Sequence, residues 1–461
     1  MSDRLWFERA WTGSAVEDGV LVTVAADGTV TSLESGSAEA PADARPFAGL
    51  ALPGAVNAHS HAFHRLLRGR THGDGGTFWT WREVMYRAAG QLTPENYERL
   101  ATAVFAEMLT AGYTAVGEFH YVHHRPGGEA YGTDGAVGTE GAAGACAMER
   151  ALARAAESVG IRLVLLDTAY LAGGLVDSAH GTPLGPEQQR FTDGDIEAYL
   201  ARHDRLAEVL EREHGASGLV TLGAAIHSVR AVPEDAITRF AALDGPVHVH
   251  LSEQPAENAD CLAVHGLTPT GLLARAGVLT DRLSAVHATH LTGEDIALLG
   301  EAGASVVMCP TTEADLADGI GPARALADAG VTIALGSDQH VVLDPLLEVR
   351  GLEAGERLGS GERGRFAPAE LVEALTAGGA RSLGLRTGLQ VGAPADAVVL
   401  RTDSVRTIGS VDEQTVLAAT GQDVTAVLVN GQVRAENGVH ARLGDVAALY
   451  RDALAEFSLD A

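Results

Sequence analysis

With 461 residues, 46% hydrophobic and 20% charged, the chain is long enough for a large barrel with a smaller unit attached, and too apolar to stay disordered. Its formal charge of -28 excludes nucleic acid, whose phosphates need a basic face, whereas a small anionic substrate would need arginines gathered at one place. All 33 basic residues are arginine, which rules out a Schiff-base lysine, a phosphate-loop lysine and a carbamylated lysine bridging two metals, so any metal site should hold one ion. Cys146, Cys261 and Cys309 are far apart and form no C-x-x-C, so neither a disulfide framework nor a thiolate metal site is expected. Asp3, Arg4, Glu8, Arg9, Glu17 and Asp18 leave no apolar signal core near the start, and no later run reaches the ~18 apolar residues of a membrane span; a cytoplasmic protein without a membrane partner is expected.

Residues 1–50 read as short strands and turns, among them Val20 to Val24, the Asp27-Gly28 turn and Val30 to Leu33. An apolar run follows, broken at Pro53-Gly54 and resumed as Ala55-Val56-Asn57-Ala58, and it ends in His59-Ser60-His61, two imidazoles on one side of an extended chain. Seven further β-rich runs succeed it: Tyr113 to Glu118, Arg162 to Leu166, Leu219 to Ala225, Pro246 to Leu251, Leu283 to His287, Ser305 to Met308 and Val331 to Leu335. Helical segments such as Pro94 to Ala111, Cys146 to Val159 and Pro233 to Leu243 fit between them, which predicts an α/β fold with a (β/α)8 barrel over 51–387. The glycine-rich stretch 127–144 reads as a mobile loop, with a lid as the alternative. Beyond the barrel, Ala397 to Leu400, Ala426 to Val429, the Asn430-Gly431 turn and Val433 to Glu436 have the texture of the N-terminal segment. Residues 1–50 and 388–440 are therefore expected to pair into a composite β-sandwich, with a C-terminal helix in 441–461.

Chemistry in such barrels is assembled at the C-terminal ends of the strands. Strand one ends in His59 and His61, strand five in His248-Val-His250-Leu-Ser-Glu253, strand six in His287 and strand eight in Gly336-Ser337-Asp338. His59, His61, His250 and Asp338 make a suitable ligand set for one divalent ion, leaving Glu253 and His287 for proton transfer. His248 alternates with His250 and reads as packing in the opposite layer, and His123, His124, His290 and His340 read as loop histidines.

The order Pro-Gly-x-x-Asn-x-His-x-His, His-x-x-Glu, His and Ser-Asp resembles the amidohydrolase superfamily in its mononuclear deaminase branch, over nearly the whole chain. Within it, Phe78-Trp-Thr-Trp-Arg82-Glu-Val-Met-Tyr86-Arg87, Glu118-Phe-His-Tyr121-Val-His-His124 and Ala225-Ile-His227-Ser-Val-Arg230 closely resemble the formimidoylglutamate deiminases of histidine degradation. That resemblance implies N-formimino-L-glutamate as substrate, with Tyr121 and His227 at substrate-binding positions. Arg82 and Arg230 agree with it independently, as guanidinium forks near the barrel mouth that suit carboxylates. His64 stands where the family usually has Gln, and either takes over its hydrogen bond or supplies a charge.

The reaction expected is hydrolysis of the C=N head by water activated at the metal, with Glu253 protonating the imino nitrogen and His287 orienting or deprotonating the water. Asp338 counts both as ligand and as part of the catalytic group. That ammonia and N-formyl-L-glutamate leave, rather than formamide and glutamate, rests on the resemblance. The alternatives are a deaminase of a neutral heterocycle (guanine, cytosine or an adenosyl compound) and a non-catalytic barrel. Zinc is the expected ion and a homodimer the expected assembly.

Overall fold

Eight parallel strands pair in chain order, and the computed structural model describes them in full within residues 3–13, 15–72, 78–131, 146–175 and 180–458. They are Ala55–Ser60, Tyr113–His120, Arg162–Ala169, Val220–Ser228, Val247–Leu251, Leu283–His287, Ser305–Met308 and Thr332–Leu335. Most are buried along their whole length, as parallel strands covered on both faces must be, which is why they read as continuous apolar runs. Ser60 bridges Asp338, just past the last strand, so the sheet nearly closes into a (β/α)8 barrel.

The seam between first and last strands explains two letters of the opening motif. Ser337 N–H donates to Asn57 Oδ1 at 2.9 Å, and Asn57 Nδ2 donates to Ser337 Oγ at 2.7 Å. Gly336 is needed because a Cβ there would lie 2.8 Å from the Cβ of His59 and 2.9 Å from its carbonyl oxygen. The seam thus sets the first metal-ligand candidates beside the last.

Helices cover the barrel as the apolar spacing predicts. Pro94–Ala111 starts at a capping box between Thr93 and Asn96 with Pro94 in its first turn, and ends on Gly112 in left-handed conformation. Ala147–Val159 and Ile196–His214 follow on the outer face. The helix expected over Pro233 to Leu243 is instead a four-residue turn, Glu234–Ile237, running into a 3-10 helix, Thr238–Ala242. The tighter winding brings Ile237 and Phe240, three residues apart, into line on the core side, where both are fully buried.

The two chain ends share one mixed eight-stranded sheet. Its order runs from Val439–His440 through Gln432–Glu436, Val424–Val429, Ala397–Leu400, Arg45–Pro53, Asp3–Thr12 and Ala15–Val24 to Val30–Glu34. Leu50 to Pro53 therefore pair with Ala397 to Leu400 rather than with the barrel. Gly54 makes the step between sheets, since a Cβ there would meet Thr114 Oγ1 at 2.1 Å. Phe7, Val20, Val22, Phe47, Val399 and Leu428 form this sheet's own core. Helix Val446–Leu454 lies against Pro94–Ala111, with Tyr450 donating to Glu107. Of the glycine-rich stretch, 132–144 falls outside the described residues.

Candidate active site

His59, His61, His250 and Asp338 come together at the C-terminal mouth of the barrel. The Nε2 atoms of His59 and His250 are 3.1 Å apart, and those of His59 and His61 each stand 3.4 Å from Asp338 Oδ1. Two of the rings are tied back at their opposite ends: His61 Nδ1 donates to Phe119 O at 2.8 Å and His250 Nδ1 to His227 O at 2.9 Å. A proton fixed at Nδ1 leaves the Nε2 lone pair facing inward. Burial, only partly offset by Asp338, lowers the pKa of His59 to about 3, so its imidazole is neutral. Three convergent neutral nitrogens and one carboxylate oxygen fit a single divalent ion.

The strand ends turn sharply to aim these groups. His287 has φ 67°, Ala288 51°, Ser252 50° and Asp338 41°, left-handed values that side-chain-bearing residues adopt at a cost. The His59-Ser60-His61 segment is clamped by Glu118, which accepts from Ser60 Oγ and from Ala62 N–H, both at 2.6 Å, and from Tyr97 OH at 3.3 Å. Burial raises the Glu118 carboxyl to about 8 against those hydrogen bonds.

Glu253 and His287 stand beside the ligand set. His287 Nε2 is 3.7 Å from Glu253 Oε1 and 3.9 Å from Asp338 Oδ2. Burial disfavours charge on His287, but Glu253, Glu313 and Asp338 outweigh it and raise its pKa to about 10. His248 points away, its Nε2 2.9 Å from Ser382 O, as its alternation with His250 requires. His123 and His124 lie in a separate buried network, whereas His340 Nε2 meets Ser60 Oγ at 3.0 Å.

The cavity over this cluster is lined by all five expected substrate-side residues, His64, Arg82, Tyr121, His227 and Arg230. His64 Nε2 lies 3.1 Å from Tyr121 OH, on a ring 4.5 Å from that of His61. Arg82 Nε donates to Tyr86 OH at 2.5 Å and its guanidinium sits 5.1 Å over the Tyr86 ring. Arg230 is held through Nε by Glu257 Oε2 at 3.0 Å, with Nη2 3.8 Å from Glu253 Oε2. Burial, then the adjacent Arg230, keeps His227 well below its ordinary pKa, so it meets an anion as a neutral donor. The cavity can thus present two guanidinium groups to an anion a short distance from the metal-ligand set.

The amidohydrolase family model matches residues 50–434. The chain belongs to the amidohydrolase family. It is 39% identical over 411 residues to the formimidoylglutamate deiminase of Pseudomonas aeruginosa, covering 86% of this chain and 85% of that one. A crystal structure of an amidohydrolase from Brucella melitensis superposes with a TM-score of 0.87 at 31% identity, over 98% of this chain and 99% of that one. An adenosine deaminase from Xanthomonas campestris, with bound zinc, gives a TM-score of 0.80 at 26% identity, covering 98% and 97%.

Sequence reasoning missed several groups that shape the site of this amidohydrolase. Gln188, in the 3-10 helix Pro186–Phe191, donates to Tyr170 OH at 2.7 Å and to Tyr86 OH at 3.2 Å, and so joins two cavity walls. Phe191 stacks edge-on against Tyr121 at 5.1 Å. Neither carries a spacing signal, because both lie on an irregular connection. Glu118 stood inside a quoted motif, yet only the strand pairing shows what it clamps.

Proposed function

We propose that this amidohydrolase hydrolyses N-formimino-L-glutamate to N-formyl-L-glutamate and ammonia, a step of histidine degradation. The observation that carries this reading is one cavity lined by His61, His250 and Asp338, with His59 packed against them, and by Arg82 and Arg230. The likeness to the Pseudomonas enzyme supports the same substrate. A divalent ion, zinc in this reading, would be held by His59, His61, His250 and Asp338 and would supply Lewis acidity that brings a water's pKa toward neutrality. The zinc in the Xanthomonas structure supports that choice.

Around that ion the chain's own residues do the rest. Arg82 and Arg230 take the two carboxylates, with His227 and Tyr121 adding neutral hydrogen bonds, which fixes the formimino carbon over the ligand cluster. His64, bonded to Tyr121, supports that wall as a neutral ring, because burial and the nearby His61 hold it well below its ordinary pKa. His287 orients the attacking water, and Glu253 carries a proton to the imino nitrogen. Water oxygen joins the carbon, the C–N bond to the imino nitrogen breaks, and that nitrogen leaves as ammonia. The reading includes a cytoplasmic homodimer, which sedimentation of the purified protein would test.

The deciding assay offers formiminoglutamate, analogues lacking either carboxylate, and neutral heterocycles to metal-loaded enzyme. Ammonia and formylglutamate from the dianion alone are expected. Formamide and glutamate as products would move the cut to the other C–N bond, and turnover of a neutral heterocycle in preference to the dianion would sink the substrate assignment.

A further inference from the structure

The proposed reaction gives no part to Glu313, a buried carboxylate of the mouth. Glu313 lies in the first turn of helix Pro310–Leu316, directly after the seventh barrel strand, and is 5% exposed. Its Oε1 accepts the Cys309 backbone N–H at 2.8 Å, which fixes the carboxylate against the strand end. The same oxygen stands 3.5 Å from His287 Nδ1, an ion-pair distance. No hydrogen bond of ordinary geometry reaches that nitrogen among the described residues. The other ring nitrogen, Nε2, looks the opposite way, toward Glu253 and Asp338. His287 is thus strung between a carboxylate behind it and the reacting centre in front, on a backbone in left-handed conformation.

We propose that Glu313 is a positioning residue for the hydrolysis: it holds the Nδ1–H edge of His287, so that the ring presents Nε2 to the attacking water and to Glu253. An imidazole has two interchangeable nitrogens and a free rotation about its attachment, and a carboxylate at one nitrogen removes both freedoms. The longer contact suits a ring that closes on its partner when substrate fills the cavity. Glu313 does not line the cavity and shares no ion-sized grouping with His59, His61, His250 or Asp338; its one such grouping is with His287 and Cys309, so its influence on the reaction runs through His287. This inference rests on the proposed role of His287 in turnover of formiminoglutamate.

The test measures kcat, KM and ion content on formiminoglutamate for Glu313→Ala and Glu313→Gln, each made in the parent and in His287→Ala. Glu313→Ala should lower kcat roughly 10- to 100-fold, the usual loss for a partner of an active-site histidine, with KM and ion content unchanged. Glu313→Gln, whose amide oxygen still accepts from Nδ1–H and from Cys309 N–H, should recover most of that loss. On the His287→Ala background neither change should lower the residual rate further. Where Glu313→Ala does not fold, Glu313→Asp takes its place, since the shorter carboxylate can still accept from Cys309 but retreats from the ring. Parent-like kcat in the Ala or Asp variant, or an undiminished loss on the His287→Ala background, would overturn the proposal. Failure of the parent to turn over formiminoglutamate, or full activity in His287→Ala, would instead strike the functional reading beneath it.

Discussion

Histidines and carboxylates meet in two buried places, at the mouth of the barrel and in the layer between its second and third strands and their outer helices. In the outer place, Arg202 Nη1 lies 2.7 Å from Asp167 Oδ1 and 3.2 Å from Glu149 Oε1, and its Nε lies 2.8 Å from Asp193 Oδ1. His123 has both nitrogens engaged, by Glu149 Oε1 at 2.7 Å and Thr168 O at 2.8 Å, and His203 Nδ1 meets Asp167 Oδ2 at 3.0 Å. His120 stacks on Tyr97 with ring centroids 5.8 Å apart. Burial alone would raise Asp167, but Arg202 and His203 outweigh it and hold its carboxyl far below the ordinary range. At the mouth no guanidinium pairs with Asp338 among the described residues, the backs of His61 and His250 are tied to carbonyls, and three Nε2 atoms converge. His120, His123 and Glu149 lie close enough together to suggest ligands, yet Arg202 already supplies the cation there. Residue type is the same in both places; what sets them apart is the Arg202 guanidinium seated among the outer carboxylates.

The largest expected effect breaks the outer place. Arg202→Met would strand Glu149, Asp167 and Asp193, all nearly or fully buried, and removing one partner of a buried ion network costs roughly 3 to 5 kcal/mol. Thermal unfolding should show the loss, while ion content stays at one per folded chain and kcat holds at temperatures where the variant is folded. A second ion taken up by Arg202→Met would show that the two clusters differ only by that guanidinium. Two ions in the parent would overturn the distinction altogether.

The same contrast explains what could be read from the sequence. The barrel was legible because parallel strands buried on both faces leave continuous apolar runs, and the mouth because His59, His61, His250, His287 and Asp338 end those runs. Partner choice was less so: nothing in Leu50-Ala51-Leu52-Pro53 tells that it pairs with Ala397 to Leu400 in the terminal sheet. Glu118, Gln188 and Glu313 carry no pattern in the chain, and each gains meaning from a neighbour far away in sequence. The outer network was equally hidden, since Glu149, Asp167 and Arg202 come from three elements whose packing no local period encodes.

At the mouth, Glu253→Gln separates proton transfer from metal binding. Glu253 lies 3.7 Å from His287 Nε2 and outside every grouping that could close on an ion among the described residues. The variant should keep its ion by elemental analysis and lose about 100-fold or more in kcat, the usual share of general acid–base help. Loss of the ion would make Glu253 a ligand and redraw the boundary of the mouth cluster.

The smallest expected effect concerns the cavity arginines, which would meet a substrate's carboxylates beside partners they already have, Tyr86 for Arg82 and Glu257 for Arg230. A dianion approaching a chain of net charge -28 is repelled at long range, although salt screens this beyond ~8 Å, so affinity must come from short contacts. Losing one charge-assisted fork to a buried carboxylate costs ~2 to 5 kcal/mol. Arg82→Met should therefore retain fold and ion but lose roughly 30-fold or more in kcat/KM on formiminoglutamate. Arg230→Met would also strand Glu257, whose Oε2 is 3.0 Å from Arg230 Nε, so the cleaner variant pairs it with Glu257→Gln. An analogue lacking the carboxylate that faces the altered arginine should lose much less from the same change. Parent-like kcat/KM in both variants would mean that neither guanidinium binds the substrate, and the cavity's positive wall would then be as self-contained as the outer network.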